Sequence, residues 1–319
     1  MEKELVKETS VCVIGDTHGH LQLALCVAAQ WQQVLGVEFE AVLLCGDVGT
    51  FTHDSQLDST TRRHAKVNPC ELEFLHQWSI TPQPRRLAKI FTSIEEDGLG
   101  LECPVVMVHG NHEGFAHLAE LLTEQLPSQP IPIPDLPAID SAGFIRYLPS
   151  GCKCLTESRI TIAGVGGIEH GQRSARYHEL AYLDDIAILQ LLESESVDLL
   201  ITHQGPSIVQ GDHGSSSLDC LVEAEFCRYW FHGHSTPQRD IAQWGPNKKT
   251  TIVPLGDIAF PMKGQNTDEP GDNGWCWVRL GDFAKIKRER PHFWRDFRRR
   301  KWKELDNGQL VAPPLADVV

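Results

Sequence analysis

The chain has 319 residues, 41% of them hydrophobic, and a formal net charge of −14. That length and apolar content suit one large α/β domain, or one domain with an extension, around a filled core. The charged start MEKELVKETS has no apolar h-region, and no apolar run approaches the ~20 residues of a membrane span. The acidic body disfavours nucleic-acid binding through bulk charge. The reading is therefore a soluble cytoplasmic protein that binds no membrane.

Taken in order, residues 11–14 of VCVIGDTHGH form a buried strand that runs into a glycine turn carrying Asp16 and His18. Residues 20–35 place apolar side chains at 21, 24, 25, 28, 31 and 35, which predicts a helix stopped by Gly36. EAVLLCGDVG (40–49) is a second strand ending in Gly-Asp, and CPVVMVHGNHEG (103–114) a third ending in Gly-Asn-His-Glu. Between them, residues 51–100 form a polar, partly helical insertion that carries His53, Arg62, Arg63 and His64. These four belong either to a substrate cleft or to a solvated helix face.

Helical stretches are predicted at 114–125 and 183–194, and the proline-rich PSQPIPIPDLP (127–137) as an irregular connection. ITIAGVGGI (160–168), VDLLITHQGP (197–206), YWFHGHST (229–236) and TTIVPLGD (250–257) continue the strands, with a last one at 275–280. Arg173 and Arg176, after the 160–168 strand, are candidates either for contacting a phosphate or for an ordinary surface role. Alternating strands and helices predict an α/β fold with functional loops at strand ends. The division expected is a domain over 1–260 and a C-terminal extension over 261–319.

Ten cysteines include no C-x-x-C, and Cys152-Lys153-Cys154 has no second pair at zinc-site spacing, so reduced thiols are expected. Residues 285–303 hold ten Lys/Arg and only two acids, with Phe293, Trp294, Phe297 and Trp302 among them. An amphipathic helix with its aromatic side docked on the acidic body is expected. The alternative is single-stranded nucleic-acid contact by stacking and charge.

The strand ends carry the chemistry. Asp16 and His18 follow the first, Asp47 the second, Asn111 and His112 the third; His203, and then His232 with His234, follow later ones. If the strands are adjacent in one sheet, these ends share an edge. Any one of these residues fits ordinary turn chemistry, but turn chemistry does not select histidine at three separate strand ends. Carboxylate, imidazole and amide oxygen are ligands for Mn, Fe or Zn. Six candidate ligands from five loops point to two ions, one carboxylate bridging, at the ~3.5–4 Å separation that clamps a phosphate.

The blocks GDTHG, GDVG, GNHE, THQGP and GHST, in order over residues 11–257, resemble those of the calcineurin-like metallophosphoesterases. The resemblance implies a four-layer α/β/β/α sandwich with two mixed sheets. It implies two divalent or mixed-valence transition-metal ions, Asp16 and His18 binding the first, Asp47 bridging, and Asn111, His203 and His234 binding the second. It also implies a metal-activated hydroxide attacking phosphorus, Asn111 orienting the phosphate, and His112 assisting the leaving group. Glu113 is expected to cap or brace the following helix. One departure stands out: Thr236 occupies the position where a second histidine usually binds the first metal. Either water completes that site or His232 takes a ligand role. Two rivals stand beside the phosphoesterase reading, a nuclease or RNA lariat-debranching-like phosphodiesterase and a non-catalytic metal-binding scaffold. Asp47 is followed by VGTF, which disfavours the protein-phosphatase branch. No motif names the substrate or the oligomeric state.

Overall fold

The computed structural model describes residues 8–79, 82–95, 98–122, 129–170, 178–234, 240–258, 273–281, 285–297, 301–304 and 310–316. Strands β1 (Thr9–Ile14), β2 (Phe39–Leu44), β3 (Val105–Met107), β4 (Ile131–Pro132), β5 (Ile145–Tyr147), β6 (Lys153–Leu155) and β7 (Thr161–Val165) are followed by β8 (Val197–Thr202), β9 (Cys227–His232), β10 (Ala242–Trp244), β11 (Thr250–Pro254), β12 (Trp275–Leu280) and β13 (Lys285–Glu289). They build two mixed sheets, ordered β13-β12-β1-β2-β3-β5 and β10-β11-β9-β8-β7-β6-β4. The main helices are α1 (Leu21–Leu35), α2 (Ser59–His64), α3 (Gln83–Thr92), α4 (Phe115–Leu121) and α5 (Asp185–Leu192).

Side-chain alternation creates the layers. In β1, Cys12 and Ile14 face the core under α1, whereas Val11 and Val13 face the core between the sheets. β2 repeats this, with Val42 and Leu44 on one side and Ala41 and Leu43 on the other. Strands buried on both faces read as continuous apolar runs, which is why these segments lack polar alternation. A third core packs Ile188 and Leu191 of α5 against Leu200 and Trp230 of the second sheet. The order helix, sheet, sheet, helix follows. Gly36 ends α1 in the left-handed conformation, as the sequence predicts.

Two stretches differ from their sequence reading. The 51–100 stretch is not merely a polar appendage. Phe74, Trp78, Leu87 and Phe91 are fully buried in the core of α1, and the Trp78 and Phe144 rings both stack on Phe91. Its apolar residues are few but spaced i, i+4, enough for one helical face. The basic tail begins as a strand, not a helix. Within β13, Ile286 packs on the inter-sheet core and Arg288 donates to the Pro254 carbonyl at 2.6 Å. Pro291 precedes a short 3-10 segment, His292–Phe297, which buries Phe293, Trp294 and Phe297 in the core under α1. Docking of the aromatic side on the body holds, by a different element. β12 pairs antiparallel with β1, Trp275 opposite Ile14.

All ten cysteines are free thiols, Cys154 lying between the sheets with Cys152 packed beside it. Among the described residues no helix is long and apolar enough to cross a membrane. Residues 127–137 are described from 129 on and hold only the two-residue β4 and a short 3-10 turn. Arg173, Arg176 and Thr236 lie outside the described residues.

Candidate metal centre

The strand-end residues converge from two sheets, not one. β1, β2 and β3 are parallel neighbours in the first sheet, and β8, β9 and β11 in the second. Their C-terminal ends meet at the same end of the sandwich. Ligand atoms of Asp16, Asp47, His203 and His234 all lie within 4.8 Å of one another. Three residues there are held in the left-handed region although none is glycine: His18 (φ 41°), Asp47 (φ 47°) and His234 (φ 46°). Such conformations cost ~1–3 kcal/mol each and persist where surrounding structure fixes them. The fixing bonds are present: His18 N–H donates to the Asp47 carbonyl at 2.7 Å, and His234 N–H to the Asp16 carboxylate at 3.0 Å. Gly233 and Gly110 are required, because a Cβ at either would run into the carboxylate of Asp16 or Asp47 respectively.

His203 is fully buried, and burial pushes its imidazole below the usual range. Its Nδ1 lies 2.9 Å from the Cys45 carbonyl, which fixes the proton on Nδ1. The Nε2 lone pair then faces Asn111 Oδ1 at 3.1 Å and Asp47 Oδ1 at 3.5 Å. Three acceptors aimed at one another repel unless a cation lies among them. The donor set is oxygen and imidazole nitrogen without thiolate, which suits Mn, Fe or Zn. The residues present therefore fit a metal group.

The charges agree. Burial and Asp47 raise the Asp16 carboxyl well above its usual value, so without a cation it tends to keep a proton. Burial opposes ionisation of Asp47 too, but His203, His112, His18 and His234 pull it below the usual carboxylate range. His234 is lowered to about 4 by burial and by His203, leaving a free nitrogen lone pair. His18 is raised to about 10; burial acts downward, and Asp257, Asp47 and Asp16 outweigh it. Its Nε2 stands 3.7 Å from Asp47 Oδ2 and 3.7 Å from Asp257 Oδ2.

His112 lies beside this cluster, its ring 5.8 Å from that of His18. Its backbone N–H donates to Asp47 Oδ1 at 2.8 Å, and its ring Nδ1 lies 2.9 Å from Asp58 Oδ2. Asp58 is a functional candidate that motif reading misses. It caps α2, its Oδ1 accepting the Thr60 and Thr61 N–H groups. The signal available is the Asp-Ser-Thr-Thr capping pattern, which locates a helix start but not a partner 54 residues away.

His232 does not join the cluster. It is fully buried under the His203 loop, its ring filling the space a Cβ at Gly205 would need, and its Nδ1 meets the Gly233 carbonyl at 3.0 Å. Strand alternation gives residues 232 and 234 one face only while the strand continues, and β9 ends at His232. Glu113 does not cap α4. Its carboxylate accepts the Val48, Thr50 and Gly110 N–H groups and the Thr50 hydroxyl, tying the Asp47 loop to the Asn111 loop. In the insertion, Arg62 and Arg63 are both exposed, and Arg62 donates to the Asp54 and Leu57 carbonyls.

Comparison with known proteins gives a family. The model of the calcineurin-like phosphoesterases matches residues 9–237. A solved structure described as a novel phosphatase from Mycoplasma pneumoniae is 12% identical, with a TM-score of 0.41, covering 91% of this chain and 97% of that one. No curated protein matches the chain.

Proposed function

The chain belongs to the calcineurin-like phosphoesterase family and is a metal-dependent phosphoesterase, and from that premise we propose a two-ion centre in which Asp47 is shared. On this reading Asp16 and His18 stand on one side, Asn111, His203 and His234 on the other, and His112 serves the leaving group. The observation that carries it is the convergence of three acceptor atoms, His203 Nε2, Asn111 Oδ1 and Asp47 Oδ1, the last of which also accepts the His112 backbone N–H. When bound, paired ions supply Lewis acidity toward phosphoryl oxygens and lower the pKa of a water into the neutral range.

The protein's own groups do the rest. Asp47 and Asp16 hold the negative charge that ions neutralise. The Asn111 amide N–H group is free to donate to a phosphoryl oxygen, since its oxygen faces His203. His112, protonated more readily than a free imidazole because Asp47 and Asp58 outweigh its burial, can deliver a proton to the departing oxygen. With Nδ1 at the Asp58 carboxylate, Nε2 is the ring nitrogen assigned the transfer.

The test is chelation followed by reconstitution with Mn, Fe or Zn. Hydrolysis is assayed on a phosphomonoester, a phosphodiester, nucleotides and short single-stranded nucleic acids. Hydrolysis that vanishes with chelator and returns with metal is expected. Tight metal binding without turnover of any substrate would favour a scaffold and overturn the catalytic reading.

A further inference from the structure

We propose that Asp257 is a ligand of the metal centre on its His18 side, an assignment that rests on the two-ion reading above. The two oxygens of Asp47 look in different directions. Oδ1 faces His203 Nε2 at 3.5 Å, on the side completed by Asn111 and His234. Oδ2 faces His18 Nε2 at 3.7 Å, on the side where the sequence supplies only Asp16 and His18 besides. That side is one protein donor short of its neighbour. Asp257 Oδ2 stands 3.7 Å from the same His18 nitrogen.

The distances match ligands of a common ion and also fall within ion-pair reach of a protonated His18. Both exceed hydrogen-bonding range. Two donors each about 2.1 Å from one ion and near-tetrahedral to each other lie about 3.4 Å apart. With Asp257 included, each side has four protein donors, and Asp47 belongs to both.

The position of Asp257 is built, not incidental. β11 runs parallel to β9, and Leu255 N–H donates to the His232 carbonyl at 2.8 Å. On the other flank, Ile258 N–H donates to the Asp16 carbonyl at 2.9 Å. Between them the Gly256 carbonyl presses against Gly15, where no Cβ would fit. The chain on both sides of Asp257 is thus fastened to the loops that carry Asp16 and His234, and its side chain, 48% exposed, emerges at their rim. The sequence repeats a known signal here: Gly256-Asp257 ends an apolar strand as Gly46-Asp47 does.

The rival role is a carboxylate that only orients His18, and metal stoichiometry separates the two. Chelator-stripped wild-type protein, Asp257→Ala, Asp257→Asn and His203→Ala are titrated with Mn(II), with affinity read by competition against a chromophoric chelator and fold by circular dichroism. Wild type should take two ions. Asp257→Ala should keep one and bind the other at least tenfold more weakly; His203→Ala should lose the opposite one. Asp257→Asn, nearly isosteric, should show the same weakened ion if the alanine variant fails to fold. Two ions held at wild-type affinity by the Asp257 variants, with one lost from His203→Ala, would overturn the assignment and leave the two-ion reading standing. Wild type saturating at a single ion would overturn the two-ion reading and this assignment with it.

Discussion

Asp58 shows how a residue acts through another. Its Oδ2 binds His112 Nδ1 while Oδ1 caps α2, so the helix start and the imidazole share one carboxylate. His112→Ala is expected to lower kcat by ~10²–10⁴, the usual worth of a positioned acid or base, with metal content unchanged. Asp58→Asn keeps the cap, because Asn caps as well as Asp. It should cost ~10–100-fold, as loss of an orienting partner does. It also removes a negative charge that raises the His112 pKa. A protonated His112 is lost as pH rises through its pKa, so the alkaline limb of the rate profile should move to lower pH in Asp58→Asn. An unmoved limb would reduce Asp58 to a helix cap. Glu71 gives a second test at this scale. It is buried beneath Gly19, and burial raises its carboxyl from 4.5 to about 7. The folded protein therefore holds a proton there that the unfolded chain releases, and the stability this contributes is present below pH 4.5 and lost as pH rises to about 7. Metal-free Glu71→Gln should match wild type by urea unfolding at pH 4.5 and be the more stable at pH 8. Equal stability at both would remove the shift.

At the scale of elements, the legible part of the site is the part that directly follows an apolar strand. Asp16, Asp47, Asn111, His203 and His234 each stand within a few residues of a strand end, so periodicity locates them without knowledge of any contact. Asp58 is not legible, because it leads a short helix whose only local signal is capping. Glu113 misleads for the opposite reason. A carboxylate before a helix has a local explanation, and the real partners, Val48 and Thr50, are distant in sequence. Its role predicts a large effect. Glu113→Ala would leave three buried N–H groups without an acceptor, each costing ~1–3 kcal/mol, so unfolding free energy should fall by roughly 3 kcal/mol or more. Metal affinity should fall with it, since the Asp47 and Asn111 loops are no longer joined. A loss under about 1 kcal/mol in urea unfolding would mean that water takes over those bonds.

At the scale of the whole molecule, the pattern is readable where strands and helices alternate, and it fails at the C-terminal end. Ten basic residues and four aromatics in 285–303 read as an amphipathic helix docked by its aromatic side; the docking holds but the element differs, because composition does not report which backbone pairing a segment makes. β13 adds to the sheet edge beside β12, and Lys285 lies over the Trp277 ring at 5.4 Å. The aromatics of 292–297 then close the core that α1 opens on its outer side. Trp294 is 2% exposed and Phe297 1%, values of a protein interior. Truncating such side chains costs ~3–5 kcal/mol each. That is a large share of the ~5–15 kcal/mol by which domains are stable. Removing residues 285–319 is therefore expected to unfold the protein, or leave it aggregated through the uncovered α1 face. Trp294→Ala should remain folded but unfold at least ~3 kcal/mol more easily in urea. Its kcat should change little, because the Phe293–Phe297 segment packs in the core under α1 and contributes none of the metal-centre residues. A truncated chain with wild-type stability and hydrolysis would show that the body closes its own core, and would return the tail to its reading as an arm for nucleic acid. Binding that weakens steeply with salt in wild type and is lost in the truncated chain would then be the measurement to make.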